Sequence, residues 1–93
     1  MTGEGPCSYE IVFDSRASKE LSKLDKPVAR RVYKAILALS GEPRPDGCRQ
    51  LSGYADLWRV RVSDYRVVYS IDDGRLVVVA LHVAHRREVY RKL

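Results

Sequence analysis

Long apolar runs are missing from this sequence. The longest unbroken one, residues 76–81, holds six residues, against the roughly 18 that a membrane span requires. Cysteine is scarce too: Cys7 and Cys48 are the two in 93 residues, and one pair so far apart has no metal-ligand spacing. They read as free thiols of a reducing compartment, although a bridge between them stays open. Histidine is limited to His82 and His85. No Asp, Glu and His grouping suggests a metal site, so neither metal nor cofactor is expected. Residues 1–8 are small and polar, with no basic start and no apolar core. They read as neither signal peptide nor anchor, which leads us to expect a cytoplasmic protein with no membrane partner.

Acidic residues are outnumbered, 12 against 17 Lys and Arg, for a formal charge of +5 and a pI near 9.5. That balance favours phosphate-rich or acidic partners without choosing between them. The apolar fraction of 45% suits a folded chain and argues against disorder. Ninety-three residues make one domain with one core. We expect a flexible extension over residues 1–7 and a single domain over residues 8–93.

Residues 8–13 read as a strand. Asp14 and Ser15 are candidates to cap a first helix, with Ala17, Leu21 and Leu24 at helical spacing. Asp25 caps a second, whose first turn accepts Pro27. Its stripe is Val28, Val32, Ala35, Ile36 and Leu39, and Gly41 stops it. So short a connection implies an antiparallel helical hairpin. Residues 42–49, with two prolines and Gly47, read as loop. Three strands follow, at residues 57–63, 65–71 and 76–84. Asp72-Asp73-Gly74 is expected to turn the last hairpin, with the glycine supplying positive φ. The last strand, apolar on both faces, belongs in the sheet interior. The predicted class is α+β: an antiparallel-dominated four-stranded sheet with the N-terminal helical hairpin packed on one face.

The phase of the arginines carries the functional information. Strand side chains alternate between faces. Trp58, Val60 and Val62 share one face and must meet the helices, which sends Arg59 and Arg61 to the other. In the next strand Tyr65, Val67, Tyr69 and Ile71 form the apolar set, so Arg66 joins the open face. Three neighbouring guanidiniums repel one another unless an anion lies among them. A solvated polar face is the competing reading. An antiparallel last strand returns its end towards Arg66, which brings Arg86, and with it Tyr90, to the same patch. A tyrosine beside guanidiniums ionises more readily than its reference.

The run 57–62, the stretch Asp64-Tyr65-Arg66-Val67-Val68-Tyr69 and the closing Arg86-Arg87-Glu88-Val89-Tyr90 resemble the RelE branch of the RelE/ParE toxin superfamily. The likeness spans Tyr9 to Tyr90. It implies a RelE-like microbial RNase fold. It also implies the toxin of a type II toxin-antitoxin system, a ribosome-dependent endoribonuclease that cuts messenger in the A site. There the 2′-hydroxyl attacks phosphorus, leaving a 2′,3′-cyclic phosphate and a 5′-hydroxyl. By position, Arg59 and Arg61 match the basic pair that grips the phosphate, and Arg66 the arginine that stabilises the transition state. Arg86 matches the arginine near the leaving oxygen and Tyr90 the general base.

The chemistry suits those roles. Guanidiniums aimed at the non-bridging oxygens lower the barrier to in-line attack, and a metal-independent enzyme must take its positive charge from side chains. Using a tyrosinate at neutral pH costs roughly 4 kcal/mol from an unperturbed pKa. Two departures stand out. Some relatives carry lysine at the strand pair, whereas arginine is the poorer proton donor, and the spacing from Arg86 to Tyr90 is short. His85 is a possible acid or base if the strand kinks before Arg86; otherwise it and His82 are ordinary part-buried or surface histidines. Trp58, Tyr69 and Tyr33 read as packing aromatics. Implied partners are a RelB-like antitoxin, the 70S ribosome with its messenger, and operator DNA through the antitoxin. The alternative is a ParE-like, non-enzymatic inhibitor of DNA gyrase.

Overall fold

The computed structural model describes residues 8–54 and 56–85. The predicted extension over residues 1–7 lies outside the described residues, as do Arg86 and Tyr90. Strand β1 (Glu10–Phe13) leads into helices α1 (Ser15–Ser22) and α2 (Lys26–Ala38), and four strands follow: β2 (Arg49–Gln50), β3 (Leu57–Val62), β4 (Tyr65–Asp72) and β5 (Val77–His85). They form one sheet in the order β1-β5-β4-β3-β2.

The sheet corrects the sequence expectation twice. It has five strands, because the end of the supposed loop pairs Arg49 with Arg59 and Gln50 with Trp58. It is also mixed, since β1 runs parallel to β5 while the other three pairings are antiparallel. A parallel neighbour needs a long crossover, and the helical hairpin after β1 supplies one. The apolar β5 lies inside the sheet, between β1 and β4.

The local signals explain the helices. The Asp14 carboxylate accepts the Arg16 N–H at 3.1 Å, satisfying one orphan donor of α1. Asp25 occupies the N-cap of α2 with no such side-chain bond, and Pro27 sits in the first turn. Ala17, Val32, Ile36 and Leu39 are buried against Val67, Tyr69, Ile71, Val78, Ala80 and Val83. Full burial of the valine, leucine and isoleucine side chains among them stabilises by about 1.5–3 kcal/mol each. Trp58, Val60, Val62 and Tyr65 pack onto the same core, which puts the apolar phase of β3 and β4 under the helices.

The last hairpin departs from expectation. Gly74 does not adopt positive φ; Leu76 does, at 57°. The cause is loop length. Asp72 pairs with Val77, leaving four residues between them, and the Arg75 N–H bonds to Asp72 Oδ1 at 3.1 Å. Strand β5 also carries a bulge, unforeseen in the sequence: Tyr69 pairs with Ala80 and Val68 with His82, so Leu81 is skipped. The bulge keeps Val78 and Ala80 before it, and Val83 after it, in the helix-side core. Among the described residues no helix is long and apolar enough to cross a membrane.

Candidate anion-binding cleft

Four arginines line one cleft of about 170 Å³ on the sheet: Arg49, Arg59, Arg61 and Arg66, with Gly47 as part of the wall. Strand alternation places three of them. With Trp58, Val60 and Val62 held against the core, Arg59 and Arg61 have the other face. Arg66 follows through the ladder, as the direct partner of Arg61. Two unit charges roughly 6 Å apart repel by roughly 0.7 kcal/mol in water and roughly 3 kcal/mol at an effective dielectric of 20. The protein holds the cluster because the folded core fixes the strands. An anion in the cleft would convert that repulsion into charge-assisted hydrogen bonds.

Arg49 was missed by sequence reasoning. It lies in a stretch read as loop, and a strand of two exposed residues offers no alternation to read. Several contacts bring it to the cleft. Arg44 clasps the Asp73 carboxylate at 2.8 and 3.3 Å, with its guanidinium 5.0 Å from the centre of the Trp58 ring. The Tyr9 hydroxyl donates to the same carboxylate at 2.7 Å. The buried Tyr69 donates its hydroxyl proton to Pro43 O at 2.8 Å. Gly47 then turns the chain at φ 89°, a conformation that suits glycine, and Arg49 enters the ladder. The Arg44 guanidinium, and after it the Tyr9 hydroxyl, hold the Asp73 carboxyl below its usual range.

Neither histidine is among the residues that line the cleft. His85 pairs with Tyr65 across the ladder and meets its ring edge-on at 5.4 Å. That is the face opposite Arg66, whose partner is Ala84. His82 Nδ1 lies 2.8 Å from Glu20 Oε2, and Glu20 Oε1 accepts the Val83 N–H at 2.7 Å. Beyond Asp14, whose N–H bonds to Ala80 O at 2.9 Å, Glu20 thus takes over the backbone edge of β5. Arg61 Nε donates to Ser63 O at 3.2 Å, which limits how far that side chain swings. Among the described residues, no group of three or more His, Cys, Asp or Glu side chains could hold a metal ion.

A family model described as the ParE toxin of type II toxin-antitoxin system, parDE, matches residues 11–90. The mRNA interferase toxin RelE of Escherichia coli is 33% identical over 87 residues, covering 89% of this chain and 90% of that protein. Toxin RelG of Mycobacterium tuberculosis is 34% identical over 85 residues, covering 90% and 98%. A chain in the crystal structure of the archaeal RelE-RelB complex from Pyrococcus horikoshii superposes with a TM-score of 0.76 at 31% identity, covering 85% of this chain and 96% of its own. The α+β fold of this chain is thus the fold of solved RelE toxins. This chain belongs to the ParE toxin family of type II toxin-antitoxin systems, on the RelE-type branch of the RelE/ParE superfamily.

Proposed function

We propose that this toxin is a ribosome-dependent endoribonuclease that cuts messenger RNA in the A site without a metal. The observation that carries the reading is the convergence of Arg59, Arg61 and Arg66 on one cleft. The name of the Escherichia coli relative, an mRNA interferase, supports the same activity. In the proposed reaction the 2′-hydroxyl attacks the adjacent phosphorus and the 5′-oxygen leaves, giving a 2′,3′-cyclic phosphate and a free 5′-hydroxyl. Arg59 and Arg61 grip the phosphate. Arg66 stabilises charge as it builds on the non-bridging oxygens. Tyr90, as the tyrosinate, takes the proton of the 2′-hydroxyl, and Arg86 stabilises the charge on the leaving oxygen, which takes a proton from water to become the 5′-hydroxyl. His85, facing away from Arg66 through its pairing with Tyr65, has no part in this assignment.

The proposed partners are the 70S ribosome with its messenger and a cognate RelB-like antitoxin, through which operator DNA is met. RelE-RelB complexes among the similar structures support the antitoxin. An acidic, partly disordered antitoxin segment would complement a chain of net charge +5. The match to the ParE model favours a second reading, a non-enzymatic gyrase inhibitor. A purified translation system separates the two. Cuts in messenger only when ribosomes are present support the nuclease. Intact messenger with blocked DNA supercoiling supports the inhibitor.

A further inference from the structure

We infer that the cleft is a cradle for two successive phosphates of one RNA strand, and that Arg49 is a binding residue for the second. The inference deepens the proposed nuclease reading and rests on it for the identity of the ligand. Arg49 and Arg59 are direct cross-strand partners, and so are Arg61 and Arg66. The four guanidiniums therefore come in two rows of two, and all four line the same cleft. Arg59 and Arg61 lie two residues apart in β3, which sets the rows about 6.8 Å apart along the strand. That is comparable with the step between phosphates on an extended nucleic-acid strand. A scissile phosphate gripped by Arg59, Arg61 and Arg66 leaves Arg49, beyond Arg59 in the other row, for its neighbour.

Arg49 has the properties of a binding residue. It is exposed, and no carboxylate among the described residues pairs with it. The backbone before it is fixed by the Arg44–Asp73 clasp and the Tyr69–Pro43 hydrogen bond. The strand that carries it follows a glycine held at φ 89°. The guanidinium is thus presented from an anchored segment at the cleft rim, where a side chain can act on affinity without touching the reacting atoms.

The test measures binding of a short labelled single-stranded RNA to the full chain across a salt series, by fluorescence anisotropy. Each phosphate contact on a single strand contributes roughly 0.7 to the slope of log affinity against log salt. Arg49→Ala is expected to lower the slope by about 0.7, and Arg49→Lys to retain it. Arg49→Ala combined with Arg59→Ala should depart from additivity, because Arg59 is its direct cross-strand partner and stands between the two phosphates, whereas with Arg61→Ala it should add in full. In messenger cleavage, Arg49→Ala should raise the half-saturating message concentration by roughly tenfold and leave the maximal rate within about threefold. An unchanged slope, or coupling of Arg49 with Arg61 in place of Arg59, overturns the cradle, as does a wild-type chain that binds no RNA. RNA binding with the predicted slopes but no messenger cleavage leaves the cradle standing and removes the nuclease. Cleavage indifferent to Arg49→Ala removes the cradle alone.

Discussion

Arg61 and Arg66 are direct partners across the β3–β4 ladder, and both line the same cleft. Like charges placed directly opposite destabilise a sheet, so the toxin carries this pair at a cost to its own stability. A multivalent anion that settles between them should stabilise the folded state by mass action. Sulfate or phosphate is therefore expected to raise the melting temperature of the wild type more than chloride does at matched ionic strength. In Arg61→Gln and Arg66→Gln that difference should shrink. Equal responses in wild type and variants would mean that the pair does not form an anion site.

Glu20 takes over the edge of β5 where β1 ends, accepting the Val83 N–H at 2.7 Å and meeting His82 Nδ1. Strand β1 ends at Phe13, opposite Ala80, so it does not reach that amide. Glu20→Ala should destabilise the fold by about 1–3 kcal/mol, the usual cost of stranding a part-buried donor. Urea denaturation measures it. A change within experimental error would show that water replaces the carboxylate at that edge.

Asp73 and Tyr69 each make stability depend on pH. Asp73 titrates below its ordinary 3.8 because of Arg44 and then Tyr9, so its contribution is present above about pH 4 and lost as acid protonates it. Tyr69 is shifted the other way, above its ordinary 10.0, chiefly by burial. Its contribution is complete below about pH 10 and lost as the pH rises beyond it. Thermal melts should show a shallower acid limb in Asp73→Asn and a shallower alkaline limb in Tyr69→Phe. Limbs that match the wild type would assign the pH dependence to other groups.

The alternation of β3 and β4 was legible because each side chain there answers to a two-layer choice: Trp58 and Tyr69 need a core, and the arginines do not. The helices were legible from Asp14, Pro27 and the apolar stripe of α2. Neither β2 nor the parallel pairing of β1 with β5 was. Arg49 and Gln50 are too few to show a period, and strand direction depends on where the helical hairpin delivers the chain. The bulge at Leu81 was hidden because β5 is apolar on both sides, so a skipped residue disturbs no pattern. Leu76 took the positive φ expected of Gly74 because that φ follows from loop geometry as much as from residue type. The placement of Arg59, Arg61 and Arg66 on the open face was therefore legible, and that of Arg49 was not.

Guanidiniums gathered on the open sheet face are proposed to cleave messenger on the ribosome. Primer extension on translated messenger, with wild type beside Arg66→Ala and Tyr90→Phe, is the decisive experiment. Wild type should leave discrete stops within the A-site codon. Arg66→Ala should lose at least roughly 100-fold in cleavage rate while its fold and its antitoxin binding are retained, and Tyr90→Phe should slow the same step. Cleavage by Arg66→Ala at the wild-type rate, or no ribosome-dependent stops with wild type, would overturn the nuclease reading.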